Sequence, residues 1–171
     1  PIKKIQLFEF LGYKFVINLN HEIKIELSKN KIEKYISRIK LSIKKYNIDS
    51  KFNEKIARKM LVDRIHFLTG NYSLSNNKRN IKAGIFYSNQ MLSLNKGKNS
   101  FNSLYNLDQK MKKCFTCIEP YKKIGIDDEK LIQFFQAKFS FSRGFYDKEK
   151  NFYSFNFTSK ENEIYRKKFG R

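Results

Sequence analysis

The chain has 171 residues, 40% of them hydrophobic and 16% aromatic, which is enough for one folded domain with its own core and excludes general disorder. Lys and Arg number 36 against 16 Asp and Glu, a formal net charge of +20. That excess points to a polyanionic partner, nucleic acid ahead of a membrane surface.

Residues 2–27 read as β. Ile5, Leu7 and Phe8, then Phe15, Val16 and Ile17, flank Gly12; residues 18–21 make a turn; Ile23, Ile25 and Leu27 alternate with Lys24 and Glu26. A hairpin or three-stranded meander is expected, too small to stand alone and in need of another body to pack against.

Ser28 or Asn30 can cap the next element, a helix, and Asn30 with Glu33 resembles a capping box. Ile32, Tyr35, Ile36, Ile39, Ile43 and Tyr46 form an apolar stripe at helical spacing. Lys31, Lys34, Arg38 and Lys45 make a basic stripe on another face, flanked by Lys40 and Lys44. Residues 47–50 are expected to end this helix, with Asp49 or Ser50 capping the next. The second apolar face would be Phe52, Ile56, Met60, Leu61, Ile65 and Leu68, so the two helices would pair as an antiparallel hairpin.

Residues 70–80 read as a polar loop, and residues 81–94 as a short helix or a strand pair. A third helix is expected over about residues 101–118, with Pro120 just past its end. Asp127, Asp128 and Glu129 favour the first turn of a fourth, running to about Phe145. In the tail, Tyr153, Phe155 and Phe157 alternate with Ser154 and Asn156 as in a strand. The expected fold class is mainly α: a short N-terminal β-hairpin or meander over residues 1–27, a helical bundle over 28–118, and a helical extension with a tail over 119–171.

Chemistry-bearing patterns are few. Asp127-Asp128 invites a metal reading, but the pair opens a helix, where capping explains it. His66 sits beside Ile65 and Phe67 and reads as packed. No Ser/His/Asp order, phosphate-cradling Gly loop or H-E-x-x-H occurs, so no catalytic and no metal residue is assigned. Cys114 and Cys117 form one C-x-x-C on an expected helix, with His21 and His66 at no ligand spacing, and read as packing residues. No apolar run of about 18 residues could span a bilayer, and no signal peptide is visible; the cytoplasm is the expected compartment. The chain opens on Pro1 and runs straight into strand-like sequence, which reads as a slice of a longer polypeptide.

The basic residues carry the positive signal. Lys31, Lys34 and Arg38 at i, i+3 and i+7 would meet successive phosphates along a groove. The loop Asn76-Asn77-Lys78-Arg79-Asn80 joins amides to cations, a mixture suited to phosphate, sugar and base edges. Tyr72, Phe86, Tyr87 and Tyr105 could stack on bases or fill the core.

Phe10-Leu11-Gly12-Tyr13 resembles the primer-grip segment of bacterial reverse transcriptases, and Ile25-Glu26-Leu27-Ser28-x-x-Lys31 their strand-to-thumb passage. The runs at 64–71, 76–78 and 84–89 are similar to the carboxy-terminal region of the reverse transcriptases of antiphage defence, the abortive-infection kinds included. The resemblance covers most of residues 6–118. It implies a thumb-like bundle in which Leu11, Gly12 and Tyr13 position a primer terminus and Lys31, Lys34 and Arg38 hold a duplex backbone. Asn77, Lys78 and Arg79 would hold RNA. It also implies a parent RNA-directed DNA polymerase with palm and fingers, RNA and DNA partners (primer–template or non-coding RNA), and catalytic Mg²⁺. In that family the aromatic-x-Asp-Asp motif that binds the metal precedes the primer grip, so it would lie before Pro1. Two other readings stand beside this one. One is a stand-alone RNA-binding module with no exposed apolar sheet face; the other is an oligomerisation scaffold.

Overall fold

A computed structural model describes residues 6–74, 81–95, 102–115, 128–149 and 152–155. The architecture is mainly α behind an N-terminal three-stranded antiparallel sheet, as the sequence leads one to expect. Strands β1 (Gln6–Phe10), β2 (Tyr13–Ile17) and β3 (Ile23–Leu27) lie side by side in chain order. Leu11 and Gly12 join β1 to β2 with φ of 48° and 80°, the all-positive pattern of a tight two-residue hairpin turn. The β2–β3 turn is tied by Asn18, whose Oδ1 accepts the Asn20 and Glu22 amides at 3.0 and 2.8 Å.

The register pairs Phe10 with Tyr13 and Tyr13 with Leu27, and likewise Phe8 with Phe15 and Phe15 with Ile25. All six therefore share one face of the sheet. Tyr13, Ile25 and Leu27 are buried on it, whereas Phe8 and Phe10 on the outer strand are 50% and 61% exposed. Lys14, Lys24 and Glu26 occupy the opposite face, with Glu26 at 3.7 Å from Lys14 and 2.8 Å from Lys24. At β3 the Asn95 side chain stands in for a neighbouring strand: its Oδ1 accepts the Ile25 N–H and its Nδ2 donates to the Ile25 carbonyl, both at 2.7 Å.

Helix α1 (Lys29–Thr69) begins where Ser28 Oγ accepts the Lys31 amide, one of the two caps expected; Asn30, the other, lies inside the helix. The turn foreseen at residues 47–50 is helical instead. The helix breaks at Asn53 (φ −154°, ψ 95°), whose Oδ1 accepts the Ile56 amide at 3.1 Å and so caps a second segment. Within that segment Met60, Leu61, Ile65 and Leu68 are buried as expected. Its buried stripe runs Ala57, Met60, Leu61, Ile65 and Leu68, while Phe52 and Ile56, expected inside, are 87% and 56% exposed.

Strand β4 (Asn71–Leu74) takes up the start of the expected polar loop. It pairs antiparallel with β5 (Lys82–Gly84) and parallel with β6 (Phe152–Phe155), the tail strand. A 3-10 helix covers Tyr87–Leu94, and α2 spans Asn102–Phe115. The fourth expected helix is two: α3 (Asp128–Lys138) and α4 (Phe141–Tyr146). The break is made by the Ser140 cap and by Asp108 of α2, which accepts the Phe141 amide at 2.6 Å and the Ser142 amide at 3.2 Å. One apolar cluster unites Ile39, Leu61, Ile65, Leu104, Met111, Phe115, Phe135 and Phe141 with Tyr13, Ile25 and Leu27 of the sheet. No helix among the described residues is long and apolar enough to cross a membrane.

Candidate nucleic-acid interface

The β1–β2 turn and the start of α1 line one open groove of about 610 Å³, with Phe10, Leu11 and Gly12 on one side and Lys31, Lys34, Tyr35 and Arg38 on the other. The closeness is imposed by the backbone: the Ser28 N–H donates to the Gly12 carbonyl at 2.9 Å, so the residue that caps the helix also anchors the turn. Gly12 is required at this approach, because a Cβ there would stand 3.1 Å from Lys31 Cδ with φ at +80°. Leu11 has no such excuse. It is 78% exposed and holds a left-handed conformation that an apolar side chain adopts only at a cost.

The three cations differ in their employment. The Lys31 ammonium lies 4.1 Å from the Tyr13 ring centre and donates to the Ser88 carbonyl at 3.0 Å. Burial pushes its pKa down, because a half-desolvated ammonium is harder to keep charged. Lys34 and Arg38 are exposed; four residues apart, they stand about 6 Å from each other along the helix axis. Among the described residues Glu9 is the only acid lining this groove, against Lys31, Lys34 and Arg38, so their field within it is positive.

Polar groups beneath the groove fix its floor. The buried Tyr13 hydroxyl donates to Ser88 O at 3.2 Å, and burial, then Tyr35, push its phenol pKa up. The Tyr35 hydroxyl accepts from Asn89 Nδ2 at 3.0 Å, which also donates to the Ile85 carbonyl at 2.7 Å. Burial raises the Tyr35 phenol as well, against the lowering effects of Asn89 and Arg38.

The structure thus brings Leu11, Gly12, Lys31, Lys34 and Arg38 together, and places Tyr13 under them as packing. Asn77, Lys78 and Arg79 lie outside the described residues, as do Cys117 and Asp127. Of the aromatics considered for stacking, Tyr72 is buried and stacked on Phe67 at 4.4 Å, and Phe86 packs on Phe145 at 5.3 Å. Tyr105 is 57% exposed. His66 packs against Phe139 with ring centres 5.6 Å apart. The sequence did not single out Phe10, Tyr35 or Ser88 as groove residues. Ser88 is far away in the chain, and Tyr35 belongs to the apolar stripe, which conceals that it also lines the groove.

The Mg²⁺ implied by the reverse-transcriptase resemblance finds no fitting donor set among the described residues. No three His, Cys, Asp or Glu side chains converge there, and Asp128 opens α3. What the groove can do is bind: cations for phosphates, and a glycine turn that lets a backbone approach closely. Comparison with protein families, with curated proteins and with solved structures gives no match to the chain.

Proposed function

We propose that this groove holds the sugar–phosphate backbone of a nucleic acid, and that the chain is the primer-gripping and thumb-like part of an RNA-directed DNA polymerase of the antiphage kind. The observation that carries the proposal is the convergence of Leu11 and Gly12 with Lys34 and Arg38 on one groove, which joins a turn shaped for close approach to a pair of exposed cations. Phosphate contacts of this type position a strand without reading its sequence. RNA and DNA, as primer–template or as a non-coding RNA, are the partners this reading assigns. Catalytic ions and nucleotide joining belong to a palm and fingers, and no chemical step is assigned to the residues described here.

The sheet favours this reading over a stand-alone module. Phe8 and Phe10 continue the face that buries Tyr13 and Leu27, yet both are at least half exposed. A self-sufficient module would cover them; a part that seats against a catalytic body leaves them for it. A primer bearing a photoreactive 3′-terminal nucleotide tests the assignment: crosslinks are expected on the peptide that contains Leu11 and Gly12. Crosslinks confined to the second segment of α1 or to α3 would refute it.

A further inference from the structure

The solvent side of α1 carries an apolar row that no other described element covers. Leu41, Ile48 and Phe52 are 55%, 49% and 87% exposed, and all three precede the break at Asn53. At 3.6 residues per turn they fall within about 40° of one another, and about 170° around the helix from buried Ile39, Ile43 and Tyr46. The row therefore points directly away from the core. Apolar side chains left in water on successive turns forgo the burial that drives folding.

The spacing says what shape of surface would cover them. With Lys45, which shares the row, positions 41, 45, 48 and 52 are i, i+4, i+7 and i+11, a line about 16 Å long. This is the seam by which one helix packs on another, with Leu41 and Ile48 at heptad position d and Lys45 and Phe52 at position a. The row is one residue wide, whereas a helix lying on a membrane surface presents a broad apolar face. Phosphates would satisfy the lysines and leave Leu41 and Ile48 in water.

The charges beside the seam say what that helix carries. Position g is Lys44 in the first heptad and Lys51 in the second, both exposed; position e is buried Ser42, then half-buried Asp49. Charges at g choose a partner by pairing with the opposite charge across the seam, so lysine at both g positions selects acids on the facing helix. A second copy of this chain fits poorly. Aligned in parallel it sets Lys45 against Lys45, and reversed it sets Lys44 against Lys51, between chains that each carry +20.

We propose that the face of α1 from Leu41 to Phe52 docks an amphipathic helix of a partner protein, its apolar seam on Leu41, Ile48 and Phe52 and its acids facing Lys44 and Lys51. None of these five residues lines the groove assigned to nucleic acid, so either assignment can fail alone.

The test uses the 171-residue chain and two labelled synthetic peptides of about four heptads, long enough to hold a helix. Both have Leu at a and d; one has Glu at e and g, the other Lys. The Glu peptide is expected to bind at least about tenfold more tightly than the Lys peptide. Ile48→Ser with Phe52→Ser, made at exposed positions, is expected to weaken Glu-peptide binding about tenfold or more, with helicity unchanged by circular dichroism. Lys44→Glu with Lys51→Glu is expected to reverse the preference between the peptides, which a general loss of positive charge would not do. No binding of the Glu peptide, equal binding of the two, or full affinity in the double-serine variant would overturn the proposal. So would a double-serine variant that keeps the peptide but loses a DNA duplex, phosphatidylserine vesicles or self-association in sedimentation, because the occupant would then be nucleic acid, membrane or a second copy.

Discussion

The Lys31 ammonium and the Tyr13 hydroxyl converge on one acceptor, the Ser88 carbonyl oxygen, at 3.0 and 3.2 Å. The ammonium also sits over the tyrosine ring at 4.1 Å. Lys31 is thereby fastened between sheet, helix and 3-10 helix, while Lys34 one turn further on extends into solvent. Two lysines of one basic stripe do different work.

Truncation separates them. Lys31→Ala removes a cation–π contact and a charged hydrogen bond and is expected to cost about 1 kcal/mol of stability. Lys34→Ala is expected to stay within about 0.5 kcal/mol. Urea unfolding of the two variants checks this, and equal costs would contradict the structural role of Lys31.

Leu11 is the one non-glycine groove residue held at positive φ, by the two-residue turn it forms with Gly12. Leu11→Asn supplies a side chain that tolerates φ of 48° and is expected to raise stability by about 1 kcal/mol. If the strained leucine serves the primer end, the same variant weakens primer–template binding. Paired melting and binding measurements read both effects, and a gain in stability with full affinity would assign the strain no function.

Asp108 organises α4 from another helix. Besides the Phe141 and Ser142 amides, its carboxylate accepts the Ser140 and Ser142 hydroxyls at 2.8 and 2.6 Å. Asp108→Ala would leave buried donors unmatched, at an expected cost of about 2–4 kcal/mol. Asp108→Asn, which keeps part of the acceptor capacity, should cost less. Thermal unfolding ranks the pair, and a neutral Asp108→Ala would refute the capping role.

These elements also show what the sequence could and could not disclose. Strand alternation revealed β1–β3, the Ser28 cap revealed the start of α1, and the spacing of Lys31, Lys34 and Arg38 anticipated that they share a groove wall. All of those are local signals. The break at Asn53 escaped because Asn47, Asp49 and Ser50 are equally good caps, and tertiary packing chose among them. Strand β4 escaped because its partners lie at residues 82–84 and 152–155, and a polar segment declares no long-range pairing. The division of α3 from α4 depends on Asp108, 32 positions from Ser140, which no window around the helix contains.

Gly144 has no room for a side chain. A Cβ there would collide with the Thr69 carbonyl at the end of α1 and press on Ile85, and its own carbonyl accepts from the fully buried Asn71 at 2.7 Å. Gly144→Ala is expected to cost about 2–3 kcal/mol, read as a lowered urea midpoint. A neutral outcome would mean that α4 does not dock here.

Stability should fall on mild acidification. Burial first, then the Lys138 charge, push the His66 imidazole pKa below its ordinary value, with Asp63 opposing weakly. The unfolded chain therefore takes up the proton at higher pH than the folded one, so the contribution is full above about pH 6.5 and is lost as pH drops through the folded value. His66→Gln is expected to flatten the pH dependence of the melting temperature in that window. An unaltered profile would assign the acid sensitivity to another group.

The most direct test is the salt dependence of primer–template binding when Lys34→Glu and Arg38→Glu are combined. Removing two phosphate contacts is expected to lower the slope of log affinity against log salt by about 2, with the fold intact by circular dichroism. An unchanged slope and affinity at low salt would contradict the assignment of this groove to a nucleic-acid backbone.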